Sequence, residues 1–292
     1  MSVKNIFAFK RENRGALYLL PTPIGNIKDF PLRCKEVLAE ADIILCEDTR
    51  VSSSLFKQEG LDIKGDLISC YSQNEQAKGE QIIKRAVKED LIIAYCSDAG
   101  TPGISDPGSL LCKMAIENDL PVISVPGPTA FILALISSGF DTSRFTFVGF
   151  LPTKSSSRIK ELNKYSNASE VLIFYEAPHR MEETLNDLCK VFGEQRRVLI
   201  ARELTKIYEN RIYGTLKEVI DEELVFKGEC VIIVDKSAKQ IDFSDEDIIK
   251  LVKERLFEGE SLSSACRNIA EEYSLRKNYV YKLCLFLSDD KK

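Results

Sequence analysis

The sequence predicts an α/β protein: two α/β halves followed by a small helical domain. Three observations carry that reading. Between residues 15 and 144, short apolar runs alternate with segments of helical period, the pattern of a mainly parallel sheet covered on both faces. Between residues 145 and 236, strands follow one another without an intervening helix, which calls for a mixed sheet. Beyond a polar stretch at 237–244, residues 245–292 read as helices only.

Taken in order, Ala16–Leu20 is a buried strand, ended by Pro21-Thr-Pro-Ile-Gly-Asn26. A helix starts near Pro31, a residue suited to a first turn, with Leu32, Val37, Leu38 and Ala41 as its apolar stripe. The strand Ile43–Cys46 runs into Glu47-Asp-Thr-Arg50, and Leu67–Cys70 is the next strand. A helix over Gln76–Lys88 places Ile82, Ile83, Ala86 and Val87 together, and strand Leu91–Cys96 empties into a loop rich in glycine and proline that reaches Gly108. A helix at Leu110–Glu117, strand Val122–Val125 and an apolar helix at Pro128–Ser138 complete the first half. The second half offers strands at Phe145–Leu151, Val171–Tyr175, Arg197–Arg202, Arg211–Tyr213 and Cys230–Val234, with helices at Arg180–Phe192 and Leu216–Glu222. The last domain divides into Asp245–Phe257, Leu262–Tyr273 and Arg276–Leu287, with helix-turn-helix punctuation at Gly259–Leu262 and Ser274.

Composition narrows the function classes. A chain of 292 residues that is 44% hydrophobic and 29% charged has the make-up of a globular protein of about two domains. The net charge of −5 gives no global basic excess for nucleic acid, so any RNA contact must be local. No apolar run is long enough to span a membrane, and the start lacks a signal-peptide h-region, so a cytoplasmic protein is expected. Residues 1–14, with Lys4, Lys10, Arg11 and Arg14 against Glu12, read as a basic tail. Nine scattered cysteines without a Cys-x-x-Cys pair read as buried reduced thiols, and a single histidine, His179, rules out a multi-histidine metal site; no metal is expected.

In an open α/β sheet, ligands gather at the carboxyl ends of the strands. Four loops occupy such positions here: residues 21–26, Glu47–Arg50, residues 97–108 and residues 126–130. Their glycines allow close backbone approach and their prolines hold the loops rigid, which suits an adenosine-like cofactor. Familiar alternatives fail. Gly103-Ile-Ser-Asp-Pro-Gly108 has P-loop spacing, but Ser109 stands where the lysine must be. The first strand is not followed by Gly-x-Gly-x-x-Gly, and no Gly-x-Ser-x-Gly elbow occurs.

The loops also carry a resemblance. Leu17-Tyr-Leu-Leu-Pro-Thr-Pro-Ile-Gly-Asn26, Cys46-Glu-Asp-Thr-Arg50, Ser97-Asp-Ala-Gly-Thr-Pro-Gly-Ile-Ser-Asp-Pro-Gly108, Val125-Pro-Gly-Pro-Thr-Ala130, Phe174-Tyr-Glu-Ala-Pro-His-Arg180 and Ala201-Arg-Glu-Leu-Thr-Lys206 occur in that order. This set resembles the bacterial 16S ribosomal RNA (cytidine-2′-O)-methyltransferases, which belong to the tetrapyrrole methylase superfamily. The resemblance implies two α/β domains, 15–144 and 145–236, with S-adenosylmethionine in the cleft between them, and a homodimer. It implies cofactor contacts from Pro23, Ile24, Gly25, Asp98, Gly100, Thr101, Pro102, Pro126, Gly127, Thr129, Tyr175 and Ala177, with Glu176 and Arg202 or Glu203 nearby. The implied acceptor is the ribose of a cytidine in the decoding region of the small ribosomal subunit.

A ribose 2′-hydroxyl is a weak acid and gains from a nearby general base. Glu47, Asp48, Asp98, Asp106 and Glu176 form a carboxylate rim that either takes the proton, holds a ribose hydroxyl, or serves ion pairs such as Asp48–Arg50 and turn caps. Arg50 and His179 are further candidates, the latter as a base, a stacking ring or a packing residue. Lys154, Arg158, Lys160 and Lys164 against Glu161 give a local +3, either a phosphate clamp or the solvated face of an amphipathic helix; Arg180 joins the RNA-facing set. In the C-terminal domain Arg267, Arg276, Lys277, Tyr279, Tyr281 and Lys282 are interleaved as RNA contacts would be, yet the domain sums to −1; docking on ribosomal protein or packing in a dimer are its other uses.

Overall fold

The computed structural model describes residues 14–237, 244–273, 275, 277–285 and 287. The basic tail up to residue 13, linker residues 238–243 and Arg276 lie outside the described residues. The chain divides into two compact units: one holds both sheets, the other holds residues 165–169 and the C-terminal helices.

The first sheet contains β1 (Ala16–Leu20), β2 (Ile43–Cys46), β3 (Asp66–Ser69), β4 (Ile92–Cys96) and β5 (Val122–Ser124) in the order β3-β2-β4-β1-β5, all parallel. Strand periodicity sorts its side chains onto two faces. Leu17, Leu19, Leu45, Ile93 and Tyr95 meet Ile82, Ile83 and Ala86 of α3 (Glu75–Glu89) and Leu111 and Met114 of α4 (Ser109–Glu117). Leu20, Ile44, Ala94 and Cys96 meet Cys34 and Leu38 of α1 (Leu32–Glu40) and Phe56 of α2 (Thr49–Gln58). The sheet is therefore wound both ways, with α1 and α2 on one face and α3 and α4 on the other. Two positions of the expected stripes face water instead: Leu32 is 71% exposed and Val87 48%.

The second sheet contains β6 (Phe145–Phe150), β7 (Val171–Glu176), β8 (Arg197–Arg202), β9 (Asn210–Thr215) and β10 (Cys230–Val234) in the order β6-β7-β10-β8-β9. Only β6 and β7 run parallel; the other neighbours are antiparallel, so the sheet is mixed as expected. The apolar helix α5 (Ala130–Ile136), which the sequence attaches to the first half, packs through Phe131, Ala134 and Leu135 on Ile173, Leu199, Val231 and Ile233 of this second sheet. Helix α6 (Ser155–Leu162) packs on α7 (Met181–Phe192), and α7 on α8 (Leu216–Asp221). Thr215 and Glu218 form a capping box that starts α8.

The C-terminal unit has its own core. Helices α9 (Asp245–Phe257), α10 (Leu262–Glu272) and α11 (Lys277–Cys284) bury Ile248, Val252, Ala265, Ile269 and Val280 against one another, and Ser244 with Asp247 caps α9. All nine cysteines are free thiols, seven of them buried. No described helix is long and apolar enough to cross a membrane.

Candidate active site

Strands β4 and β1 are neighbours, but the chain leaves β1 toward α1 on one face and β4 toward α4 on the other. The loops after these strands therefore diverge and leave a crevice at the carboxyl edge of the sheet. Hydrogen bonds lace the crevice walls. Thr22 and Gly100 exchange backbone hydrogen bonds of 2.9 and 3.0 Å, joining the loop after β1 to the loop after β4. The Thr22 hydroxyl donates to the Ser97 carbonyl at 3.1 Å, and the Ser97 hydroxyl donates to the Gly100 carbonyl at 3.0 Å. The Thr101 hydroxyl donates to the Pro128 carbonyl at 3.0 Å and lies 2.7 Å from the Thr129 hydroxyl, which ties in the loop after β5. At the far end of the β4 loop, Glu75 accepts from the Gly108 and Leu111 amides at 2.9 and 3.0 Å and so caps α4. At about 1 kcal/mol each, these bonds make the loops a preformed frame rather than open turns.

The second sheet closes the frame. The Asn26 amide donates to the Thr205 hydroxyl at 3.0 Å, and a Cβ added to Gly25 would lie 2.3 Å from Lys206 Cγ and 3.1 Å from the Leu204 carbonyl. Glycine is needed at 25 because these two loops touch there. The cavity between the two sheets has a volume of about 400 Å³. Ile24, Ile104, Leu204 and Val231 supply apolar walls, Gly100, Thr101 and Thr129 the laced loops, and Phe150, Tyr175 and Ala177 the rim of the second sheet. The Tyr175 ring sits edge-on to Phe147 and Phe150, its hydroxyl accepts from the Phe131 amide at 3.3 Å, and burial pushes that hydroxyl up to about 12.

The carboxylates form a graded set. Burial, then the charges of Asp106 and Asp98, push Glu47 up to about 7. Burial and Asp98 push Asp106 up to about 6. Asp48 goes the other way, down to about 2, because its carboxylate accepts from the Arg50 guanidinium at 2.6 and 3.0 Å and from the Arg50 amide at 2.8 Å. The Asp48 amide donates to Asp98 at 3.1 Å, and the Asp98 amide donates to Glu47 at 3.4 Å, so these acids run in one hydrogen-bonded file.

The cavity brings together Glu47, Glu176, Ile24, Asp98, Gly100, Thr101, Thr129, Tyr175 and Ala177 of the expected residues. Pro23, Gly25, Asp48 and Arg50 face an adjoining groove instead. Pro102, Pro126 and Gly127 line neither; a Cβ at Gly127 would lie 2.4 Å from Pro21 Cβ, so its role is packing of the frame. His179 is exposed in the turn Pro178–Arg180 and lines neither space. Both oxygens of Glu176 are engaged, accepting from Thr184 at 2.7 Å and from the Ala177 amide at 2.8 Å.

Two RNA-facing expectations are corrected. Arg158 is fully buried, its guanidinium 2.8 Å from Asp187 and donating to the Thr153 carbonyl at 3.2 Å. It pins α6 to α7 and cannot reach a phosphate. Arg180 is turned inward to the Leu151 carbonyl at 2.9 Å, the Pro152 carbonyl at 3.1 Å and Glu176 at 3.3 Å. Lys154, Lys160 and Lys164 remain exposed, as do Arg267, Lys277, Tyr279, Tyr281 and Lys282 of the C-terminal unit. Arg202 and Glu203 do not line the cavity, whereas Ala201, Leu204, Glu229 and Cys230 do. Nothing in the sequence singles out Phe150, Glu229 or Cys230 as site residues; Ile104 lies inside the ligand loop 97–108, and Leu204 inside the motif Ala201–Lys206, one residue from Glu203.

A ligand carrying an adenosine group needs an apolar slot with a few fixed polar partners, in a volume of roughly 300–1,000 Å³. The cavity meets that description. Gly100 has φ of +82°, and a Cβ there would come within 3.3 Å of Ile24 Cγ2, so the backbone itself forms the wall.

Residues 16–220 match the family model of Tetrapyrrole (Corrin/Porphyrin) Methylases. The chain is 39% identical to a protein of Synechocystis named ribosomal RNA small subunit methyltransferase I, over 94% of this chain and 99% of that one. It is 36% identical to a protein of the same name from Halalkalibacterium halodurans, over 94% and 96% of the two chains. Among solved structures, a uroporphyrin-III C-methyl transferase of Thermus thermophilus complexed with S-adenyl homocysteine shares the fold at a TM-score of 0.52 and 17% identity, covering 77% of this chain and 99% of that one.

Proposed function

The chain belongs to the tetrapyrrole methylase family, in its ribosomal RNA small subunit methyltransferase I branch, and on that premise we propose that it methylates 16S ribosomal RNA with S-adenosylmethionine, at the 2′-oxygen of a decoding-region cytidine. The observation that carries the proposal is the laced cavity with Glu47 in its wall. When bound, the cofactor supplies an electrophilic methyl group on a sulfonium. Gly100, Thr101, Thr129, Tyr175 and Ala177 hold and orient it, and the apolar walls exclude water, so that positioning supplies much of the rate. Glu47 takes the proton from the 2′-hydroxyl: a carboxylate pushed up to about 7 is basic enough for the task and still ionised in part at neutral pH. Asp98, bonded to both Glu47 and the Asp48 amide, orients it.

Asp48 serves here as the cap of α2 and the anchor of Arg50, not as the base. Lys154, Lys160 and Lys164 supply phosphate contacts, and the C-terminal helices add others. The protein works in the cytoplasm as a homodimer. The test incubates the protein with methyl-labelled S-adenosylmethionine and small ribosomal subunits that lack the modification, then identifies the labelled nucleoside. The expected product is 2′-O-methylcytidine; a label on any other position, or none, overturns the acceptor assignment.

A further inference from the structure

Beside the cavity lies a second space, an open groove of about 630 Å³ between the loop after β1 and one side of α2 along its whole length. Pro23, Gly25 and Ile27 form one bank. The other is a stripe of α2: Arg50, Ser54 and Gln58, spaced by four residues, with Val51 and Leu55 beside them. Asp98 lines both spaces, so the groove adjoins the cavity there, next to Glu47, which accepts from the Asp98 amide at 3.4 Å.

The groove's chemistry differs from that of the cavity. The cavity is walled by apolar residues and carboxylates and has no cation among the described residues of its lining, whereas the groove presents one guanidinium, hydroxyls and an amide, beside the carboxylates of Asp48, which holds that guanidinium, and of Asp98, which the two spaces share. Arg50 is 89% exposed at its side chain, yet its position is fixed by two hydrogen bonds to Asp48. A guanidinium has five N–H donors, so most of its donors point to solvent. A held, planar cation with free donors suits a phosphate better than it suits a neutral ligand. Ser54 and Gln58 continue the line with groups that accept from or donate to a ribose–phosphate backbone, and Val51 and Leu55 give a nucleobase an apolar edge.

We infer that this groove is the acceptor-strand site: it takes an unpaired ribonucleotide strand, with a phosphate next to the target ribose on Arg50 and the target ribose reaching past Asp98 to Glu47. The inference rests on the methyltransferase reading above, and the experiment separates the two.

Four proteins are compared: the wild type, Arg50→Ala, Gln58→Lys and Gln58→Glu. Cofactor affinity is measured with S-adenosylhomocysteine, and the KM for unmodified small subunits is measured at several salt concentrations. Arg50→Ala should raise that KM at least tenfold and flatten its salt dependence, with S-adenosylhomocysteine affinity unchanged. Gln58, exposed at the end of α2, tests the same point without touching the Asp48 pair. Gln58→Lys should lower the KM and steepen the salt dependence, and Gln58→Glu should do the reverse. If the wild type methylates ribosomal RNA but KM is indifferent to all three changes, the groove assignment is wrong and the function stands. If the wild type transfers no methyl group to RNA, the function itself fails. A KM raised by Arg50→Ala but indifferent to the Gln58 pair would show that Arg50 only shapes α2, and would also overturn the groove.

Discussion

Glu47 is where the electrostatics of the site make the sharpest demand. Its pKa stands at about 7 because burial disfavours its charge and because Asp106 and Asp98 repel it. Raising the pKa of an acid means that the protonated form is favoured in the folded site, so the active, ionised base is scarce at low pH and accumulates as pH rises. About one tenth is ionised at pH 6 and about nine tenths at pH 8. Single-turnover methyl transfer at saturating cofactor should therefore rise roughly tenfold across that interval and then level off. Asp106→Asn removes the larger of the two repelling charges. One such charge is worth about one pKa step, or ~1.4 kcal/mol. The variant's acid limb should then move down by up to one pH step, and its rate at pH 6, relative to its own plateau, should rise by less than about fivefold, because Asp106, at about 6, is itself only about half ionised there. Stopped reactions analysed for labelled RNA at each pH give both profiles. A wild-type rate that is flat between pH 6 and 8, or an acid limb that stays in place in Asp106→Asn, would refute Glu47 as the base.

Other outcomes follow from the same geometry. Arg158→Ala should destabilise the fold by about 1–3 kcal/mol, because the buried Asp187 keeps Lys190 and Ser155 but loses its guanidinium partner, and should lower the thermal midpoint by roughly 2–10 °C; an unchanged midpoint in thermal unfolding would mean that the pair does not hold α6 to α7. Gly100→Val should abolish S-adenosylhomocysteine binding in a titration, since valine strains at φ +82° and its branches would crowd Ile24. Gly127→Val should lose stability together with binding, because the clash there is with Pro21 inside the frame. Replacing Lys154, Lys160 and Lys164 with glutamine should weaken RNA binding and reduce the salt slope by roughly two to three charges, and an unchanged slope would remove α6 from the RNA-facing surface.

Much of this molecule is legible in its sequence, and the misses have physical causes. The strands of the first sheet are short, continuous and apolar because both faces are covered, and that pattern survives without knowledge of partners. Helix α2 went unread: Thr49-Arg-Val-Ser-Ser-Ser-Leu-Phe-Lys-Gln58 is rich in serine, and what holds it is the Asp48 cap and burial of Phe56 and Ser52. Arg158 looked like one cation among four because sequence shows a charge but not its partner, and Asp187 lies 29 residues away. The loops that carry Ile24, Gly100, Thr101 and Thr129 are legible, since rigid loops at strand ends announce themselves by composition, while the single positions within them come from the family resemblance. Glu229 and Cys230 were not, because a strand that enters an antiparallel sheet carries no mark of which loop it will face.

The nine thiols have a chemical consequence of their own. Burial is the leading cause of an upward shift at every one of them, with Cys34 pushed to about 12 and Cys70, Cys230 and Cys284 to about 11. Alkylating reagents and peroxide attack the thiolate, and at neutral pH these sulfurs are almost wholly protonated. The seven buried sulfurs are thus nearly silent toward electrophiles while the chain is folded, and Cys112 and Cys189 are only partly open to them. A single cysteine placed on an exposed position, such as Ser53 on the outer side of α2, would stand out as the one fast-reacting handle. A dye could be attached there without first removing any native sulfur, and the same native sulfurs, released together on unfolding, would report the loss of the fold.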